Sequence, residues 1–446
     1  MQVRFLTIVM KFGGTSVGSA ERIKNVANII KSHIKKNPVV VVSAVTKVTD
    51  MLIKLANECA QGKGDNILLN IKKIHYEILE KLKIDKKLLK EDIEELSNLV
   101  YKTKSDKYID AKRLDETQSF GEQLSSKIVA SQLNRVGVKA QAFNSWDLGF
   151  LTDSEFGNAE PLEITYINLK KNMKKLNLVP VITGFIGKTE SGEITTLGRG
   201  GSDYSAAIIG AAINAKEIQI WSDVNGVMSA EPEIVKDVKT IEDISFAEAS
   251  ELAYFGAKVL HPKTLLPAIN KNILVKVLNS FNPKNKGTAI LNKTTKNKKV
   301  VKAIAYKKDI TLINIESTRM LGAYGFLARI FDIFDDYRKS VDVVSTSEVS
   351  VSLTIDNEKN INNIVDELKD VGEINVAKKK AIICVVGEGI KTTPGIAGRT
   401  FAVLGKNKIN IEMISQGASK INITFIVDEK SAEKAVKILH EEFFGS

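Results

Sequence analysis

The sequence predicts an α/β protein: a mainly parallel central sheet with helices on both faces, followed by a smaller strand-and-helix unit that occurs twice. Three observations carry this. Residues 5–45 read as a strand, a Gly-rich turn, an amphipathic helix (Ala20 to Lys35) and a buried strand (Val39 to Ser43), which is a βαβ unit. Apolar runs at Val138 to Phe143, Val179 to Phe185 and Ile218 to Trp221 then alternate with helical stretches, as expected for a sheet covered on both faces. Beyond residue 300 the chain matches itself without a gap: Gly325, Arg329 and Phe331 recur as Gly395, Arg399 and Phe401, an offset of 70.

Between these elements, Asn66 to Val100 reads as two exposed helices rich in Lys and Glu. Phe281 to Lys299, enriched in Asn, Pro, Gly and Lys, reads as a boundary. The expected first domain is therefore 1–299. Each repeat reads strand, Gly-bearing turn, helix, strand, strand, helix, with the copies at 307–376 and 377–446. The first copy ends with a strand near Ile374, whereas the second reaches the end of the sequence after its helix, Ala432 to Phe443. The strand Val300 to Tyr306, ahead of the first copy, is expected to complete the second.

The 446 residues allow about three folded units at ~150 residues each. Hydrophobic residues make up 43% and charged residues 26%, which excludes a disordered or collagen-like chain. Two isolated cysteines, Cys59 and Cys384, argue against a disulfide scaffold and a zinc site. The apolar runs are shorter than the ~20 residues of a membrane span. The first residues run straight into a patterned strand, so a cytoplasmic location is expected. The net charge of +11 comes from lysines scattered among acids on helices, so nucleic-acid binding is not expected.

Chemistry concentrates in Gly-rich turns. Lys11-Phe12-Gly13-Gly14-Thr15-Ser16 follows a strand and opens a helix, so amides and a lysine can face an anion. Its lysine precedes the glycines, unlike the P-loop or the dinucleotide fingerprint. Gly198-Arg199-Gly200-Gly201-Ser202-Asp203 is a second such turn, carrying an arginine suited to carboxylate or phosphate. Ser222-Asp223-Val224-Asn225-Gly226 ends a strand, where open α/β sheets place ligands. Lys258 lies in an apolar stretch and needs an anionic partner. Phe120-Gly121-Glu122 is read as beginning a helix, with Glu122 an acid of its first turn. The four histidines, His33, His75, His261 and His440, lack ligand spacing, so no histidine-bound metal is expected.

In this order, KFGGTS at 11–16, FGE at 120–122, VITGFIG at 181–187, TTLGRGGSDYSA at 195–206, WSDVNGV at 221–227 and ELAYFGAKVLHP at 251–262 resemble the aspartate kinase family. The repeats resemble the paired, ferredoxin-like βαββαβ ACT domains of that family, in its lysine-sensitive monofunctional members. The resemblance implies an N-terminal amino acid kinase domain that transfers the γ-phosphoryl group of ATP, carried with Mg2+, to the side-chain carboxylate of L-aspartate. It implies that Lys11, Gly13, Gly14, Ser16, Ser222, Asp223, Gly226, Met228 and Lys258 bind ATP, with Lys11, Asp203 and Lys258 catalytic. Thr49, Glu122, Arg199, Gly201, Ser202 and Asp203 would hold aspartate, and Asp203 could instead orient Lys11.

Met320, Gly325, Asp342, Thr346 and Ser347 would bind an amino-acid effector, lysine first and threonine second. A homodimer or tetramer through the ACT domains is implied. The chain departs from the family pattern at Asp50, Met228, Glu231, Glu233 and Gly322. Two other readings stay open: a catalytically silent amino-acid sensor, and a kinase acting on another amino acid such as glutamate.

Overall fold

In this computed structural model, residues 7–256, 260, 262–292, 300–320, 324–417 and 421–445 are described. They form two compact units. The first comprises Met1–Val227, Glu242–Phe246 and Leu260–Thr294; the second comprises Met228–Ile241, Ala247–Val259 and Thr295–Ser446. Two stretches ahead of residue 299, Met228–Ile241 and Ala247–Val259, thus pack with the second unit.

The first unit opens with β1 (Ile8–Phe12), α1 (Ala20–Ser32), β2 (Pro38–Val42), α2 (Val48–Cys59), α3 (Asp65–Leu82), α4 (Lys90–Asp106) and α5 (Ala111–Arg135). It continues with β3 (Ala140–Phe143), α6 (Glu163–Met173), β4 (Val179–Thr183), β5 (Ile186–Lys188), β6 (Ile194–Thr196), α7 (Gly201–Ile213) and β7 (Glu217–Ser222). Next come β8 (Asp243–Ser245), α8 (Phe246–Tyr254), α9 (Pro262–Asn270), β9 (Leu274–Asn279) and β10 (Thr288–Leu291). All residues of α8 after Phe246 belong to the second unit.

The main sheet has the order β3-β4-β2-β1-β7-β9-β10-β8, parallel throughout except between β9 and β10. Its central strands β1, β2 and β4 are buried along their whole length, which explains their unbroken Val/Ile runs. β10 lies inside the segment read as a boundary: four residues of alternating burial are enough to add a strand, and their polar flanks hid it. α3 and α4 are not simply exposed. Leu68, Ile71, Ile78, Ile93 and Leu96 turn one face of each into the core, while the lysines face water.

The second unit adds β11 (Ala303–Glu316), α10 (Phe326–Asp336), β12 (Val344–Thr346), β13 (Ser350–Ile355) and α11 (Ile361–Leu368). It ends with β14 (Glu373–Val386), α12 (Ile396–Lys406), β15 (Met413–Ser415), β16 (Asn422–Asp428) and α13 (Glu429–Phe444). The six strands form an antiparallel sheet ordered β12-β13-β11-β14-β16-β15. β11 and β14 each serve both repeats. Residues 310–316 of β11 lie between β13 and the first half of β14, whereas 303–307 pair with 382–386, beside β16. The strand ahead of the first repeat therefore stands at the edge of the second. The register shifts between Lys307 and Ile310, where Asp309 has φ +56°, as at a bulge.

Segment 228–241 joins the core of the second repeat, where Ala230 and Ile234 pack with Val385, Phe425 and Leu439. Ser229 Oγ lies 2.9 Å from His440 Nε2. Among the described residues no helix is long and apolar enough to cross a membrane.

Candidate functional site

In the first unit the carboxyl ends of the parallel strands gather the chemistry, as topology dictates for open α/β sheets. Lys11, next to last in β1 and 8% exposed, sends its Nζ to 2.6 Å from Asp203 Oδ1 in the first turn of α7. Together with Ser43, Thr49, Glu122, Phe185, Gly198, Gly200, Gly201 and Ser202, this pair lines a pocket of about 220 Å³.

Glu122 sits in the middle of α5, not in a first turn. Asp110 caps that helix by accepting from the Arg113 amide at 2.8 Å, ten residues before Phe120, read as the helix start. Glu122 is 2% exposed. Its Oε1 accepts the Ala44 amide at 2.9 Å, while its Oε2 is buried without a hydrogen-bond partner among the described residues. Burial pushes its carboxyl up to about 8, against the pull of the Ala44 and Glu122 amides and the Lys11 charge. A buried carboxyl with one open oxygen suits a ligand ammonium, whose arrival favours the ionised form.

Helix α5 comes this close to the strand ends because residue 121 is glycine. A Cβ there would lie 2.6 Å from the Ala44 Cβ. Gly121→Ala is expected to cost about 1–3 kcal/mol through overpacking, read as a lower denaturant midpoint with an unchanged slope. Similarly, a Cβ on Gly201 would meet the Phe185 ring at 2.6 Å. Asp115, two turns before Glu122, fixes the facing loop by accepting from the Gly157 and Thr196 amides at 2.8 Å each. Its carboxyl is raised by burial.

The Gly-rich turn after β1 differs from expectation in detail. The Gly13 amide is donated to the Trp221 carbonyl at 3.1 Å, so it holds the turn to β7 and is not available to a phosphate. The Ser16 hydroxyl is likewise engaged, 2.8 Å from Ser280 Oγ, and Ser280 Oγ donates to the Ser222 carbonyl at 3.0 Å. The Gly14 amide has no hydrogen-bond partner among the described residues and is the donor left for an anion. Ser222 ends β7, Asp223 is exposed, and Gly226 has φ +107°. Met228 belongs to the second unit, where its Sδ accepts from Thr240 Oγ1 at 3.6 Å. Arg199 is exposed on the second Gly-rich turn and does not line the pocket. Lys258, His261 and Gly322 lie outside the described residues. Among the described residues no group of three His, Cys, Asp or Glu could hold a metal ion.

Ser43 and Phe185 line the pocket although the sequence assigns neither a role there, and Gly198 and Gly200 join it from the second Gly-rich turn. Position offered the one available signal: Ser43 follows the last buried residue of β2, and Phe185 closely follows β4.

In the second unit the five effector candidates spread over the first repeat. Asp342 precedes β12, and its side chain is 5% exposed. Lys307 Nζ lies 3.1 Å from its Oδ1. The Tyr254 hydroxyl, in α8, lies 3.3 Å and 3.4 Å from the Val341 and Asp342 carbonyls. Burial raises the Asp342 carboxyl, with Lys307 opposing. Thr346 ends β12 and Ser347 follows it, roughly 13 Å of extended chain from Asp342. Met320 closes a short helical turn, and Gly325 caps α10 with φ +75°.

The amino acid kinase family profile matches residues 6–279, and an ACT domain profile matches residues 383–443. Aspartokinase 1, chloroplastic, of Arabidopsis thaliana is 43% identical over 99% of this chain and 81% of its own. The crystal structure of Escherichia coli aspartokinase III with aspartate and ADP, in the R-state, superposes with a TM-score of 0.84 at 34% identity. It covers 98% of this chain and 100% of that one. The same enzyme with lysine and aspartate, in the T-state, gives 0.81 at 35% identity over 98% and 99%.

Proposed function

The chain belongs to the aspartokinase family of amino acid kinases, and we propose from that premise that the pocket around Lys11, Glu122 and Asp203 is its phosphoryl-transfer site. The enzyme is an ATP-dependent aspartate kinase, which moves the γ-phosphoryl group of ATP onto the side-chain carboxylate of aspartate and leaves ADP. The observation that carries the site is the Lys11–Asp203 ion pair at 2.6 Å in one pocket with the buried Glu122.

A substrate carboxylate is already ionised at neutral pH and needs no general base, so positioning and charge stabilisation remain for the protein. Glu122 Oε2 receives the aspartate ammonium. Thr49, Ser202 and the Gly201 turn shape the pocket around the rest of the substrate, and Arg199 reaches in from the rim to a carboxylate. Lys11 bridges to the transferred phosphoryl group, held by Asp203 until the nucleotide arrives. The Gly14 amide, with Ser222, Asp223 and Gly226 at the end of β7, faces the nucleotide, and Lys258 meets the transferred group. Mg2+ would be carried on the ATP phosphates, where it would offset their charge, because it dehydrates reluctantly and keeps several waters.

We propose the domain division as 1–299 for the kinase and 307–376 and 377–446 for the ACT domains, with 300–306 completing the second. The lysine complex of the E. coli relative supports lysine as the effector, held by Asp342 in the first ACT domain. Exposed Tyr324, Leu327, Phe331 and Val349 on that domain support a homodimer or tetramer. The cytoplasm is the proposed compartment.

The test is ADP release with Mg-ATP and either aspartate or glutamate, with lysine and threonine titrated separately. Aspartate-dependent turnover suppressed by lysine is expected. Turnover with glutamate alone, or binding without turnover, would overturn the substrate or the activity. Asp342→Ala is expected to raise the lysine needed for half-inhibition at least about tenfold, the loss of one charge-assisted contact, without changing uninhibited turnover. An unchanged inhibition curve would move the effector elsewhere.

A further inference from the structure

Asp342, given above to the effector ammonium, already faces an ammonium from its own chain. Lys307 leaves β11 where the register shifts, and its Nζ stands 3.1 Å from Asp342 Oδ1 and 3.2 Å from Asp356 Oδ2. The same Nζ lies 5.9 Å from the centre of the Tyr254 ring. Asp342 Oδ2 is buried without a hydrogen-bond partner among the described residues, so the carboxylate depends on this lysine for its charge balance.

The arrangement recurs in the second repeat. Lys380 Nζ stands 2.6 Å from Glu412 Oε1 and 3.7 Å from Asp428 Oδ2, and Glu412 is the counterpart of Asp342 at the offset of 70 (412 less 342). Asp309 and Lys379, at the same offset, both have left-handed backbones, with φ +56° and +54°. In each copy a lysine stands between two carboxylates, of which only Asp342 and Glu412 match at the offset of 70; Lys380 and Asp428 occupy other positions than Lys307 and Asp356.

We propose that Lys307 is a tethered competitor for the effector: its ammonium holds Asp342 while the site is empty, and passes to Asp356 alone when an effector ammonium takes Asp342. The inference rests on the effector role of Asp342 given above. Binding becomes an exchange of one ammonium for another. Asp356, half-exposed, keeps the displaced lysine paired, so the exchange leaves no buried charge alone. A ligand without an ammonium cannot displace Lys307, and the site selects accordingly. Tyr254, whose ring faces Lys307 and whose hydroxyl meets the 341 and 342 carbonyls, carries the exchange to α8.

Calorimetric titration of lysine into the full chain tests this with four proteins: wild type, Asp342→Ala, Lys307→Met and Asp356→Asn. Lys307→Met removes the competitor and is expected to tighten lysine binding roughly 5- to 10-fold, whereas Asp356→Asn removes the resting place and is expected to weaken it roughly 3-fold, as for partly exposed ion pairs. A merely structural lysine would move both variants the same way or neither, and either result overturns the proposal. If Lys307→Met does not fold, Asp356→Asn decides, and unchanged or tighter binding there overturns the proposal. Wild type that binds no lysine overturns the effector reading and this inference together. Binding by wild type that is lost in Asp342→Ala but unaltered in Lys307→Met overturns the inference alone.

Discussion

Replacing Lys11 by methionine is expected to lower aspartate-dependent turnover by about 10³-fold, the range seen when a preorganised charge facing a reacting group is removed. Methionine keeps the apolar stem that packs in the strand and removes the ammonium 2.6 Å from Asp203. The variant should also lose stability, because Asp203 is left in a pocket without its cation. Both side chains keep some solvent access, 11% and 17%, so the loss should be about 2 kcal/mol, below that for a fully buried pair. Combining Lys11→Met with Asp203→Asn should restore much of the stability and none of the turnover. Single-turnover kinetics and chemical denaturation read the two separately. A Lys11→Met enzyme with wild-type turnover would remove the lysine from the chemistry.

Glu122→Gln is the second large effect, and its sign depends on pH. The carboxyl is raised from 4.5 to about 8 by burial, so between these values the folded chain without substrate holds a proton that the unfolded chain has released. Stability without substrate therefore falls as pH rises from about 4.5 to 8 and levels off above, by at most a few kcal/mol. Glutamine removes that slope, so the variant should gain on wild type steadily from pH 5 to 8 in thermal unfolding, and no further above. Aspartate binding runs the other way: its ammonium draws Glu122 into the ionised form, so binding at pH 7 should release a proton. Calorimetry in buffers of different ionisation enthalpy measures that release. The variant should lose it, along with about 10²-fold or more in kcat/KM, as when a charged partner of the substrate is removed. A variant whose stability tracks wild type across this pH range would show that Glu122 is ionised when the pocket is empty.

Local periodicity made much of this architecture legible. The βαβ opening was readable because β1 and β2 are buried on both faces and carry no alternation to confuse. The repeat was readable because Gly325 and Gly395 both cap helices with positive φ, a need that few other residues meet. The sharing of strands was readable from a missing strand at one end and a spare one at the other. Contacts set by distant chain were not. Asp110 capping α5 follows a lysine-rich stretch, so the residues alone put the helix start at Phe120, nine residues after Ala111, and made Glu122 a first-turn acid. The commitment of the Gly13 amide to Trp221, 208 residues away (221 less 13), leaves no mark near residue 13. Lys307 looks like one lysine among many until the sheet brings Asp342 and Asp356 to it; Ser43 carries no motif, and Phe185 lies in a motif, VITGFIG, that gives it no role of its own.

The identity of the phosphorylated atom tests the central claim most directly. Aspartate labelled with carbon-13 at C4, incubated with Mg-ATP and the enzyme, should give a phosphorus resonance split by coupling to the C4 carbon, with ADP formed in equal amount. Lys11→Met should give neither. Coupling to C1 instead, or ADP formed with inorganic phosphate in the absence of an acyl phosphate, would contradict transfer to the side-chain carboxylate at the Lys11 pocket.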